Sequence, residues 1–223
     1  MKSAADLRIP FSWAERYAVL LEKCLYIPGF YPHHEKWSAL PWNDPAIFGK
    51  AGDKVVIEYC SGNGQWICEK ARQNPSIHWV AVEKRFDRAR KIWGRMQREA
   101  LSNLFVVCGD GTIFTRHYAP TDSVDEIFVN FPDPWPKRRH AVNRIVQKQF
   151  MKDLTRIVRK GGRATLVTDD EVYRDQMAFE VAQSAAWKRE SMTTEWPDYG
   201  DSWFANLWTQ KGKTIYYQRY AHV

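Results

Sequence analysis

From Lys54 onward the chain alternates short apolar runs with amphipathic stretches of helical length, a rhythm that few architectures accept. The spacing predicts strands over residues 54–59, 77–83, 104–110, 124–131 and 163–169, with helices over 62–73, 85–100, 143–159 and 171–186 among them. Strand, helix and strand in repetition signal right-handed βαβ crossovers, which build a mostly parallel sheet with helices on both faces. A last run, 213–220, alternates enough to be a late strand antiparallel to its neighbours. The expected fold is α/β: a mostly parallel, doubly wound sheet with an antiparallel late strand. A chain of 223 residues has room for one such domain, assigned to 51–223, and is short of two. Residues 1–50, rich in aromatics, proline and histidine, show weak helical periodicity around Trp13 to Cys24 and are expected to pack on that domain as an N-terminal extension.

In such a sheet ligands bind at the carboxyl ends of the strands, where small residues let the backbone approach and a helix N-terminus points at the ligand. The loop Glu58-Tyr-Cys-Ser-Gly62-Asn-Gly64 stands there. A dinucleotide fingerprint needs a third glycine where Ile67 stands, which disfavours a pyrophosphate cofactor. S-adenosylmethionine has no phosphate and carries an ammonium and a sulfonium, for which Glu58 is a suitable partner. Glu83 ends the second strand, 25 residues after Glu58, where a carboxylate can accept ribose hydroxyls. Asp110 ends the third, where it can accept from an adenine amino group.

After the fourth strand comes Asn130-Phe-Pro-Asp133-Pro-Trp135-Pro-Lys137-Arg-Arg139-His140. Its prolines fix φ and hold the loop at low entropic cost. An acid beside an aromatic ring, followed by cations, offers an acceptor for a base edge, a stacking surface and phosphate contacts. From Lys137 to Lys160 there are nine Lys/Arg against the single acid Asp153, so this stretch carries +8 while the whole chain carries +7. Such density suits a polyanion, since each neutralised phosphate releases counterions. At helical spacing Arg144, Lys148, Lys152, Arg156 and Arg159 share one face, with Val146, Phe150, Leu154, Ile157 and Val158 opposite.

With NFPDPWPK, RIVQ from Arg144 to Gln147, and Thr168-Asp169 in view, the chain resembles the bacterial tRNA (guanine-N7-)-methyltransferases over about residues 40–220. The resemblance implies a Rossmann-like class I methyltransferase fold, S-adenosylmethionine as donor, and tRNA as acceptor, methylated at a variable-loop guanine, usually position 46. Carried over by position, Glu58, Gly62, Gly64, Glu83, Asp110 and Asp133 would meet the cofactor, with Asp133 also the catalytic residue. Lys137 and Asp169 would hold the substrate, and Arg139, His140 and Arg144 would meet RNA. The family's Thr-x-(Phe/Tyr)-Glu, part of its guanine pocket, reads Ser202-Trp203-Phe204-Ala205 here, so Ser202 and Phe204 remain and the carboxylate is missing. Cys60 stands where the family's first loop glycine is usual.

Other classes are weaker matches. An NAD-dependent oxidoreductase would need the third glycine and a hydride-transfer site, and an inert RNA-binding protein has no reason to keep the four acids together. Four cysteines without a CxxC pair argue against a disulfide framework or a metal site. No apolar run approaches the ~20 residues of a membrane span, and the N-terminal residues lack a secretory apolar core, so a cytoplasmic protein, monomer or homodimer, is expected.

Overall fold

A computed structural model describes residues 17–50 and 54–223. The chain runs β1 (Val19–Leu21), β2 (Cys24–Tyr26), β3 (Val55–Tyr59), α1 (Gln65–Gln73), β4 (His78–Glu83), α2 (Phe86–Arg98), β5 (Leu104–Cys108) and α3 (Gly111–His117). It continues through β6 (Val124–Asn130), α4 (Lys148–Ile157), β7 (Val158–Thr168), α5 (Glu171–Ala182), β8 (Trp187–Thr193), α6 (Trp203–Gln210) and β9 (Tyr216–His222).

The described strands form one sheet in the order β1-β2-β5-β4-β3-β6-β7-β9-β8. Strands β5, β4, β3, β6 and β7 are mutually parallel, and strand order reverses at β3, whose neighbours are β4 and β6. Strands β3, β4 and β5 are buried along their whole length, as expected of sheet covered on both faces. Successive side chains feed opposite cores: Ile57 and Tyr59 pack with Phe114, Phe150 and Tyr173 from α3, α4 and α5, while Val56 packs with Trp66, Ile67, Ile92 and Met96 from α1 and α2. The late strand is antiparallel as expected, β9 pairing with β7 through Thr168↔Tyr216 and with β8 on its other side.

Three local expectations change. The weak helical periodicity ending at Cys24 corresponds, from residue 17 on, to a hairpin; residues 13–16 lie outside the described range. Leu21 pairs with Cys24 across a turn in which Lys23 takes φ +58, and β2 adds in parallel to β5 with Cys24 opposite Val106. The helix expected over 143–159 is shorter. A 3-10 turn at Arg138–Asn143 gives way to extended backbone at Arg144 and Gln147, and α4 begins at Lys148. Arg159 consequently lies on β7, and the five-residue basic face divides. Helix α3, strand β8 and helix α6 are additions that the periodicity did not predict.

Candidate functional site

Because β3 to β7 run parallel, their carboxyl ends share one rim. Glu58 is buried there, and its Oε1 accepts from Asn130 Nδ2 at 2.7 Å, joining the ends of β3 and β6. Its Oε2 has no hydrogen-bond partner among the described residues. Burial pushes the carboxyl up to about 7; Asn130 and Ser61 oppose the rise and Glu83 adds to it. Glu83 is buried as well and accepts from Gly62 N and Arg85 N, each at 2.8 Å. Asp110 is the N-cap of α3, accepting from Thr112 N at 2.9 Å and Ile113 N at 3.3 Å, with Lys84 Nζ 3.0 Å from its Oδ2. Burial alone would raise the Asp110 carboxyl, but hydrogen bonds from Thr112 and Lys84 outweigh it and leave it below its ordinary value.

The glycine loop bends sharply between these acids. Gly64 takes φ +76, and a Cβ there would lie 2.8 Å from Ile92 Cγ1, so only glycine lets α1 dock on α2. Cys60 takes φ +62 although it has a side chain. Its thiol is pushed well above the ordinary range, first by burial and then by the carboxylates of Glu83, Asp133, Glu58 and Asp110. Glu58, Glu83 and Asp110 stand at the ends of β3, β4 and β5, and Asp133 follows on the loop after β6.

Asp133 is exposed on the proline-rich loop, between Phe131 at φ +47 and Trp135 at φ +42. Both aromatics sit in the left-handed region that side chains disfavour, so the loop must be held by its surroundings. Trp135 is partly exposed and meets His140 edge-on at 5.9 Å, and Arg139 Nε donates to His140 Nε2 at 3.2 Å. Lys137, Arg138 and Arg139 face solvent.

Arg144 does not join them. It is 7% exposed, and its guanidinium turns inward, donating from Nε to the Pro134 carbonyl at 2.7 Å and from Nη1 to Gln176 Oε1 at 2.5 Å. In this structure the residue expected to meet RNA turns its guanidinium to the loop's own backbone. Arg156 and Arg159 are also committed internally. Arg156 binds the carbonyls of Thr115, Arg116 and Ala119 at the end of α3, and Arg159 pairs with Asp125 at 3.0 Å. Lys148 and Lys152 remain exposed.

The C-terminal segment closes over the rim. Ser202 is buried and N-caps α6, accepting from Ala205 N at 3.5 Å. Phe204 stacks on Phe131 at 5.9 Å, and a Cβ at Gly62 would lie 3.1 Å from its Cε2, so this ring covers the glycine loop. Arg88, on α2, stands 5.9 Å from its centroid. Asp169, at the end of β7, pairs with Lys213, which also lies 4.1 Å from the Trp208 ring. Asn206, a possible substitute for the carboxylate missing at Ala205, instead donates to Asp201 Oδ1 at 2.6 Å. Sequence reasoning did not assign Asn130, Lys213 and Gln176 to the site. Asn130 had a readable signal, since a polar residue ending the strand beside β3 must face Glu58; the other two depend on tertiary packing.

A family model described as "Putative methyltransferase" matches residues 52–218. The chain is 40% identical over 213 residues to a tRNA (guanine-N(7)-)-methyltransferase of Chlamydia muridarum, covering 95% of this chain and 94% of the relative. It is 29% identical to the enzyme so named in Rubrobacter xylanophilus, covering 82% and 83%. Among solved structures it is similar to the 16S rRNA methyltransferase KamB, with TM-score 0.59 and 18% identity over 77% of this chain and 89% of that one. The antibiotic-resistance methyltransferase Kmr gives TM-score 0.60 and 14% identity over 93% and 99%. These two likenesses are of fold.

Proposed function

The chain belongs to the tRNA (guanine-N7-)-methyltransferase family, and from that premise we propose that it methylates guanine 46 in the tRNA variable loop, with Asp133 at the reacting atoms. The fold is that of a Rossmann-like, S-adenosylmethionine-dependent methyltransferase, and the protein is an enzyme that transfers a methyl group to N7 of a guanine in tRNA. The placement of Glu58, Glu83 and Asp110 at the carboxyl ends of the adjacent parallel strands β3, β4 and β5, with one Glu58 oxygen left unpartnered, supports the residue assignments.

The chemistry of the rim fits the donor. A buried carboxylate with one oxygen unpartnered, Glu58, suits an ammonium, and Gly62 keeps the loop backbone bare beneath the Phe204 ring. Glu83 would accept the ribose hydroxyls through the lone pairs its two backbone donors leave free, and Asp110 the adenine amino group. S-adenosylmethionine supplies a methyl carbon activated by its sulfonium. Guanine N7 carries a lone pair and needs no base to remove a proton. The residues therefore work by alignment, an effect that reaches ~7–11 kcal/mol in favourable cases. Asp133 orients the guanine, or stabilises the positive charge that grows on the purine as the methyl arrives. Lys137, Asp169, Ser202 and Phe204 hold the base, and Arg139 and His140 meet the backbone of the RNA. No described helix is long and apolar enough to cross a membrane. We assign the enzyme to the cytoplasm, acting as a monomer or homodimer.

The test is to incubate the protein with labelled S-adenosylmethionine and unmodified tRNA, then digest to nucleosides. Label should appear in 7-methylguanosine and disappear when guanine 46 is replaced by adenine. Asp133→Asn should lose most turnover; wild-type turnover in that variant would overturn the role given to Asp133.

A further inference from the structure

Arg144 has an arrangement that a phosphate-binding arginine lacks. Its guanidinium is enclosed by neutral groups: the Pro134 carbonyl at 2.7 Å, the Trp135 carbonyl at 3.5 Å, Gln176 Oε1 at 2.5 Å, and the Tyr173 ring 4.9 Å away. Two of these groups are peptide carbonyls directly following Asp133, and two are side chains of α5. The same two α5 residues also grip the chain just beyond Arg144, since Tyr173 Oη accepts from Val146 N at 3.2 Å and Gln176 Nε2 donates to the Val146 carbonyl at 3.4 Å. Helix α5 begins two residues after Asp169, with Asp170 as its N-cap. One guanidinium therefore links the loop that carries Asp133 to the helix that follows Asp169.

We propose that Arg144 is a positioning residue for methyl transfer, holding the Asp133 loop from beneath in fixed register with α5. The inference rests on the functional reading above and adds to it a residue that acts through the loop and does not touch the substrate. The loop needs such a hold, because Phe131 and Trp135 both sit at positive φ and Asp133 lies between them. A planar guanidinium can donate to the loop and to Gln176 at once; a lysine ammonium keeps the charge without that fork. A phosphate contact would need only the charge, so the two roles separate on the Lys variant.

The experiment compares wild type with Arg144→Lys, Arg144→Gln and Gln176→Leu. It measures hydrogen exchange of the 130–147 peptide, whose Phe131, His140, Arg144 and Val146 amides are hydrogen-bonded, in the ligand-free protein, S-adenosylmethionine affinity by titration, and kcat, tRNA Kd and its salt dependence. Positioning predicts faster exchange of that peptide in all three variants, least in Gln176→Leu. It also predicts a fall in kcat of roughly 10- to 100-fold for both Arg144 variants, with tRNA Kd, its salt slope and cofactor affinity within about two-fold of wild type. Unchanged exchange, or wild-type kcat in Arg144→Lys with a weaker, less salt-dependent tRNA Kd in Arg144→Gln, would overturn the proposal. Gln176→Leu leaves the arginine in place, so the comparison survives if an Arg144 variant folds poorly. The exchange measurement does not depend on tRNA turnover, so a wild-type enzyme inactive on tRNA would count against the functional reading and not against the brace.

Discussion

Asn130 donates its side-chain amide to Glu58 Oε1 at 2.7 Å across the point where strand order reverses, and leaves Glu58 Oε2 without a partner. The ligand-free protein thus stores a cost in its cofactor site. A carboxyl raised from 4.5 to about 7 holds its proton more tightly in the folded than in the unfolded chain. Its contribution to stability is complete below pH 4.5 and is lost as pH rises through 7. Glu58→Gln, neutral at every pH, should therefore match wild type at low pH and exceed it at pH 8, by at most roughly 3 kcal/mol at ~1.4 kcal/mol per pH unit. The same variant should bind S-adenosylmethionine more weakly, having no charge for an ammonium. Denaturant melts across pH and a cofactor titration check both halves; a variant less stable than wild type at pH 8 contradicts the first.

Cys60 at φ +62 makes a second prediction. In ordinary extended backbone alanine is the more stable replacement, because glycine has more freedom to lose on folding. In the left-handed region the order inverts, since a Cβ there costs about 1 kcal/mol or more. Cys60→Gly should exceed Cys60→Ala in unfolding free energy by about 1 kcal/mol, measured by denaturant titration. The reverse order would mean that the loop relaxes out of this conformation.

The sequence revealed the sheet more readily than the site's edges, for physical reasons that particular residues show. Strands β3 to β5 are buried on both faces, so their apolar runs are continuous and bounded. Glu58, Glu83 and Asp110 follow from those runs, because each acid stands at the end of one. Strand β8 was unreadable: in Trp187–Thr193 only the first residue is buried, and its stability comes from pairing with β9. The inward turn of Arg144 was not legible because charge content says nothing about which way a side chain turns; its direction goes with a break in helical backbone that Tyr173 and Gln176 hold from α5. Helix α6 is eight residues long and has no fully buried residue, too short a run to show helical periodicity even though it covers the glycine loop.

Asp169 and Lys213 supply a third prediction. The lysine comes from the turn between α6 and β9, and its pairing ties the covering segment to the end of β7. Lys213 is well exposed, so its removal should cost stability little, under ~1 kcal/mol. Asp169 is far less exposed and would lose the group that orients it. Lys213→Met should keep a near-wild-type melting temperature while kcat/KM for tRNA falls roughly five- to ten-fold, about 1–1.4 kcal/mol of transition-state stabilisation. Equal activity in the two proteins would show that Asp169 needs no help to hold its position.

Arg139 and Arg156 belong to the same basic stretch and should fail in different ways when changed. Arg139 is exposed beside His140, at the edge of the proline-rich loop. Arg139→Glu should weaken tRNA binding and flatten its salt dependence by about one unit of slope or more, since a released counterion is lost and a repulsion gained. Folding and S-adenosylmethionine affinity should not change. Arg156 binds the carbonyls of Thr115, Arg116 and Ala119 and the Thr121 hydroxyl at 3.0 Å, capping α3 from α4. Arg156→Ala leaves the last carbonyls of that helix without their donor, and charge-assisted hydrogen bonds of this kind are worth roughly 1.5–3 kcal/mol. Its loss should appear in the melting temperature while the salt slope of tRNA binding stays at the wild-type value. If Arg156→Ala instead flattens the salt dependence as Arg139→Glu does, the RNA-facing surface extends down α4 to a residue whose guanidinium must leave α3 to reach it.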